Sequence, residues 1–358
     1  MNRPFDRRTL LKLGLASAAA ALVGREAFGA ASVPPDPREK RLANLRQLTF
    51  GGQNAEAYFD WAGTRLIFQS TRPPFGCDQI FTMRDDGGDV RLVSTGKGRT
   101  TCAFFFPDGR RFIYASTHLG DAACPPPPDR SRGYVWPIYP TYEIFAADTL
   151  AAEDATPVRL TDHEGYDAEG AVSPDGRRIV FTSLRAGDLD LYLMDADGTN
   201  VRRLTDRPGY DGGPFFSWDG RHIVFRAARP DTREEMEEYR ALLGRSIVRP
   251  QRLEIYVMRA DGMGQTQVTR NGGANFAPFM HPNSQQIIFA SNFHDPPRRA
   301  FALWLVNVDG TGLERVTWSE TFASFPMFSR DGKRLVFCSD RGATAPRELN
   351  VFLADWVG

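Results

Sequence analysis

One phrase recurs along this chain of 358 residues, and it constrains the fold more than any other feature. It reads Phe106-Pro-Asp-Gly-Arg-Arg-Phe-Ile-Tyr, Ser173-Pro-Asp-Gly-Arg-Arg-Ile-Val-Phe, Ser217-Trp-Asp-Gly-Arg-His-Ile-Val-Phe and Ser329-Arg-Asp-Gly-Lys-Arg-Leu-Val-Phe. Two degenerate copies, Asp60-Trp-Ala-Gly-Thr-Arg-Leu-Ile-Phe and His281-Pro-Asn-Ser-Gln-Gln-Ile-Ile-Phe, bring the set to six. Asp-Gly tolerates positive φ and makes a tight hairpin; the β-branched and aromatic run after it reads as a strand buried on both faces. A second phrase follows most copies, as in Asp190-Leu-Tyr-Leu-Met-Asp-Ala-Asp-Gly and Glu254-Ile-Tyr-Val-Met-Arg-Ala-Asp-Gly, then a short strand such as Val201-Arg-Arg-Leu-Thr. Each unit therefore has four strands, and four-stranded units spaced by roughly 40 to 50 residues are propeller blades.

The blades predicted in this way cover about 50–98, 99–165, 166–209, 210–273, 274–321 and 322–358. The last stops after Asn350-Val-Phe-Leu-Ala-Asp without a fourth strand, while Leu45-Arg-Gln-Leu-Thr is a fourth-strand phrase with no blade of its own. The expectation is an all-β, six-bladed propeller over 45–358, closed when the N-terminal strand completes the last blade, which removes free sheet edges. The Ser-Pro-Asp-Gly-Arg-Arg-Ile-Val-Phe and Tyr-Leu-Met-Asp-Ala-Asp-Gly phrases resemble the WD-type repeats of the TolB propeller family. That resemblance implies the fold and leaves activity open, since similar repeats serve binding proteins, lyases and peptidase propellers. TolB itself carries an α/β domain before its propeller, for which 32–44 leaves no room, so a Tol-Pal role is not expected.

Before the propeller, Arg3, Arg7, Arg8 and Lys12 precede an apolar run from Leu13 to Val23, and the small residues Gly29, Ala30 and Ala31 follow. This is the pattern of a cleavable export signal over 1–31, and its paired arginines resemble the twin-arginine type. Residues 32–44, with Pro34, Pro35 and Pro37, read as a linker. The run is too short to span a bilayer comfortably, so a soluble periplasmic or otherwise extracytoplasmic protein without a membrane span is expected. Lys+Arg and Asp+Glu both number 44, which argues against a nucleic acid partner. An oxidising compartment permits disulfides. Pairing among Cys77, Cys102, Cys124 and Cys338 is not readable from spacing; Cys102 with Cys124 is favoured, and Cys338 reads as a buried thiol.

Two long insertions, 118–141 and 228–252, fall in second-to-third-strand loops and so crowd one face. The first is rich in rings, including Tyr134 and Trp136; the second holds a helix opened by a capping box at Asp231/Glu234 or Thr232/Glu235 and ended by Gly244. Blade-to-blade loops on this face carry Asp167, Glu169, Tyr210, Asp211 and Asn275, with His118, Arg185 and Asn292 at adjacent loop bases. Convergent polar groups in a concavity mark a ligand site, against the plainer role of satisfying loop amides. No Gly-x-Ser-x-Gly, His-Glu-x-x-His, P-loop or dinucleotide motif occurs, and the chain ends with blade six, so no accompanying hydrolase domain is expected. The leading expectation is a binding platform for a protein, peptide or glycan, without catalytic residues or cofactor. The alternative follows from a similarity of repeat type to oligogalacturonate lyases, which hold a divalent metal through histidines. It implies a metal site at His118, His163 and His294 and metal-assisted lyase or hydrolase action on a polysaccharide.

Overall fold

A computed structural model describes residues 30–34, 36–131, 133–151, 155–318 and 321–358. All but the last residues of the expected export signal lie outside the described residues. The recurring Asp-Gly phrases close hairpins, with Gly109, Gly176, Gly220 and Gly332 at φ between 65° and 71°. Ser173 Oγ donates to Asp175 (2.6 Å) and accepts from the Arg178 N–H (2.9 Å), and Ser217 and Ser329 repeat both bonds. The last residue of each phrase, Phe68, Tyr114, Phe181, Phe225, Phe289 or Phe337, is buried between sheets.

Six antiparallel sheets result. Blade one runs Gln53–Phe59, Arg65–Thr71, Gln79–Arg84, Arg91–Leu92, and blade two Thr100–Phe105, Arg111–Ser116, Glu143–Asp148, Val158–Arg159. Blade three is Asp167–Val172, Arg178–Ser183, Asp190–Asp195, Arg202–Arg203, and blade four Tyr210–Phe216, His222–Ala228, Leu253–Arg259, Thr266–Gln267. Blade five is Phe276–Met280, Gln286–Ser291, Ala302–Asn307, Glu314–Arg315, and blade six begins Ala323–Phe328, Arg334–Ser339, Asn350–Trp356. The first strand of each blade packs against that of the next, and blade six returns to blade one, so six first strands ring a central channel.

Blade six is completed by Leu42–Gln47, which pairs with the C-terminal strand in the register Leu42↔Trp356 and Arg46↔Leu353. Ala31–Ser32 then adds a fifth strand outside it, from the end of the expected export signal and the start of the expected linker. The threonine that recurs after a Leu or Val explains why this pairing is specific. In blades two to five the threonine hydroxyl accepts the backbone N–H of the third strand, at Ile144, Leu191, Ile255 and Leu303 (2.8–2.9 Å). Thr49, from the N-terminal segment, makes the same bond to Val351 in blade six (2.9 Å).

The disulfide corrects the sequence expectation: Cys77 pairs with Cys124, their Cα atoms 5.9 Å apart, and Cys102 and Cys338 are free. Cys77 lies in the second-to-third-strand loop of blade one, beside the first insertion, whereas Cys102 sits in an inner strand and faces the channel. Cys338 is buried, as expected. Among the described residues no helix is long and apolar enough to cross a membrane.

Candidate functional site

Every inner strand breaks register at one place, between 55 and 58, 101 and 104, 168 and 171, 212 and 215, 276 and 279, and 324 and 327. At each bulge one residue turns left-handed: Glu56, Cys102, Glu169, Gly213, Ala277 and Phe325, with φ between 49° and 57°. A non-glycine residue in this region carries strain, and bulges of this kind re-aim side chains at functional sites. All six residues line one cavity of about 1260 Å³ in the channel. Two residues further along four of these strands, Tyr58, Phe104, Phe215 and Phe279 pack with ring centroids 5.2–5.8 Å apart and plug the channel beneath it.

The two insertions roof the cavity by pairing with each other. Trp136–Pro137 of the first runs antiparallel to Ile247–Val248 of the second, and Ile138 N–H donates to the Ser246 carbonyl (2.8 Å). The helix Arg233–Leu243 has the expected capping box at Thr232 and Glu235. Its Tyr239 and Leu243 pack on the propeller, and the Tyr239 hydroxyl donates to Asp188. Arg249 and Arg252 tie the returning chain to Glu238, Glu235 and Asp231. Trp136 reaches from blade two across the channel, with its ring 6.0 Å from Phe276 and 6.4 Å from Tyr210 and the Arg226 guanidinium 5.0 Å from it.

Polar groups are arranged unevenly below this roof. Glu169 accepts from Thr182 (2.8 Å), Tyr210 (3.1 Å), the Gly213 N–H (2.8 Å) and Arg226. Burial opposes the Arg226 charge, but Glu169 and Tyr210 outweigh it and raise its pKa. Glu56 has the Cys102 thiol as hydrogen-bond partner and no cation within ion-pair distance among the described residues. Burial pushes its pKa up to about 7, Glu169 and Asp78 adding and Cys102 and Arg226 opposing. The Cys102 thiol is itself held well above its ordinary range, chiefly by burial, and is a poor nucleophile. The opposite wall is apolar: Phe276, Phe301, Phe322 and Phe325 cluster with centroids 5.2–6.5 Å apart.

Of the expected ligand residues, Tyr134, Trp136, Glu169, Tyr210 and Asn292 line the cavity. Asp167, Asp211 and Asn275 are buried at blade junctions instead. Asp167 pairs with Arg185 (3.0 Å), Asp211 with Arg229, and Asn275 donates to Glu254 (2.9 Å). Arg185 covers the Phe181 and Tyr192 rings and is likewise outside the cavity lining.

The three histidines expected as metal ligands stand apart. His118 lies against the Phe145 ring (4.5 Å) with Nδ1 2.8 Å from Ser116 Oγ, His163 is exposed with Nδ1 against the Glu164 carbonyl, and His294 sits beside the packed Phe293 and Trp304 rings. Among the described residues no group of three or more His, Cys, Asp or Glu could hold a metal ion. His118 and His163 bond locally and His294 packs against rings, an arrangement that the repeat map could not distinguish from convergence.

Sequence reasoning missed Glu56, Cys102, Arg226 and the phenylalanine wall. One signal was present: each bulge residue stands four positions before the first residue of the Asp-Gly phrase of its blade.

Residues 143–234 match the family model described as TolB beta propeller domain. An uncharacterised protein of Agrobacterium fabrum is 33% identical over 106 residues, which is 29% of this chain and 35% of that protein, so the match spans about a third of the relative's length. Among solved structures, a TolB of Acinetobacter baumannii superposes with a TM-score of 0.56 at 17% identity, covering 86% of this chain and 64% of that one. A TolB-type protein of Agrobacterium tumefaciens gives 0.57 at 18% (86% and 91%), and an oligogalacturonate lyase of Vibrio parahaemolyticus 0.52 at 12% (91% and 96%). At these identities the likeness is one of fold.

Proposed function

For a TolB-like six-bladed propeller with a roofed, plugged funnel, we propose that the funnel binds the end of a peptide or glycan chain and that the protein acts as an exported binding module. The observation that carries this reading is the cavity of about 1260 Å³, lined by Trp136, by the phenylalanine wall and by the polar groups Glu56, Glu169, Tyr210 and Arg226. Rigid rings supply contact area at little entropic cost, and a few placed polar groups set orientation. A floor closed by Tyr58, Phe104, Phe215 and Phe279 suits a chain end rather than a strand passing through. Export to an oxidising compartment is supported by the charged and apolar pattern of 1–31 and is consistent with the Cys77–Cys124 disulfide. The lyase alternative rested on three histidines that stand apart and is not favoured by any feature of the cavity.

The test is an array of immobilised peptides and oligosaccharides probed with the exported chain and with Trp136→Ala. Trp136 is half-buried against ligand space and outside the blades. Removing it is expected to weaken array ligands by about tenfold or more while thermal unfolding changes little. Ligands that bind both forms equally would place recognition elsewhere.

A further inference from the structure

Charge is ordered along the axis of the funnel, and the order specifies a ligand. At the mouth, Arg130, Arg298 and Arg299 line the cavity, and none has a carboxylate within ion-pair distance among the described residues. Deeper in, Arg99 pairs with Asp78 (3.3 Å) and Arg226 with Glu169, which leaves Glu56 as the carboxylate without a cation. The floor therefore lacks one positive charge and the rim carries three in excess. Buried carboxylates are stable when paired, so a ligand bringing a cation to Glu56 supplies what the protein does not.

The surroundings favour a compact cation. Tyr58 lies in the plug below Glu56, and the Trp136 and Tyr210 rings already carry the Arg226 guanidinium, so the space left at Glu56 is small. An ammonium is a small point charge with three donors and fits a blind end better than a planar guanidinium.

We propose that the funnel takes the ammonium-bearing end of a peptide, with the ammonium on Glu56 and acidic groups of the same peptide on Arg130, Arg298 and Arg299. This rests on the reading of the funnel as a ligand site. An acidic glycan would satisfy the rim alone and leave Glu56 unpaired. Since Glu56 faces Cys102, Glu169, Arg226 and Asp78 and is pushed up to about 7 by burial, it carries a proton part of the time at neutral pH. Binding of an ammonium then expels that proton.

The probe is the tripeptide Lys-Phe-Glu, compared by calorimetry at pH 7 with its diacetylated form and with Lys-Phe-Gln, on the full exported chain. The free amine form is expected to bind about tenfold tighter than the diacetylated one, the scale of a charged hydrogen bond, with heats that vary with buffer ionisation as a proton leaves. Glu56→Gln should abolish the advantage of the amine. The exposed pair Arg298→Ser, Arg299→Ser should abolish the advantage of Glu over Gln, a readout independent of any effect at the floor. Equal binding of the acetylated and free forms, or no binding of Lys-Phe-Glu at millimolar concentration, overturns the inference. If acidic oligosaccharides bind in a Trp136-dependent manner while the tripeptide does not, the funnel remains a ligand site and only the ammonium assignment falls. Loss of Trp136 dependence for every ligand overturns the broader reading.

Discussion

Glu56 is where the physical chemistry of single residues is most exposed. Its strand turns left-handed at φ 51°, and the side chain is thereby delivered to a channel whose other carboxylates already have arginine partners. Its folded pKa, about 7, lies above that of an exposed glutamate, so folding favours the protonated form. The contribution to stability is then greatest at low pH and is lost as pH rises from the ordinary carboxylate range through about 7. Glu56→Gln removes the titration, so the variant should gain on the wild type by on the order of 1–3 kcal/mol between pH 5 and pH 8. Denaturant melts at both pH values check this; a difference that is constant with pH would mean that Glu56 is already paired or solvated. At the bulge of blade four the requirement is instead for glycine. A Cβ on Gly213 would lie within 1.9 Å of the Arg226 guanidinium, so Gly213→Ala should displace Arg226 from Glu169 and lower the melting temperature.

At the scale of elements, the decisive structure is one that neither insertion makes alone. Each contributes two residues to the small sheet over the funnel, and Val135, Ile138, Ile247 and Val248 are buried around it. The base of the first insertion is anchored by the Cys77–Cys124 disulfide, with a sequence separation of 47. Chain entropy assigns a cross-link of that span about 4 kcal/mol of stabilisation through the unfolded state. Cys124→Ser should therefore lower global stability by up to about that amount. It should also increase quenching of Trp136 fluorescence, read by difference from Trp136→Phe, because one end of the roof is released. An unchanged melt and unchanged quenching would show that the pairing with Ile247–Val248 holds the insertion unaided.

For the molecule as a whole, closure depends on residues more than 300 positions apart in sequence, as in the Asn44 to Asp355 and Thr49 to Asn350 bonds. Deleting 30–47 leaves Asn350–Trp356 as a free hydrophobic edge. That variant should melt at markedly lower temperature and self-associate, measurable by light scattering; a monomer of native stability would mean that three strands suffice for blade six.

Much of this was legible in the amino-acid order. Four Asp-Gly phrases and two degenerate copies, each followed by a buried strand, determined the blades, because the hairpin and the alternation of buried positions are local properties of a few residues. The unclaimed Leu45-Arg-Gln-Leu-Thr determined the closure, since Thr49 repeats the bond that its counterparts make. The capping box determined the helix, again locally. What only tertiary structure decided was which loop residues meet. Asp167, Asp211 and Asn275 are as polar as Glu169, but they precede the bulge and point into blade junctions, whereas Glu169 is carried on it to the axis. The three histidines share a face without sharing a place, and Cys124 found Cys77 because an insertion folds back over blade one. Local pattern determines each blade; the direction of a side chain relative to five other blades is a property of the closed ring.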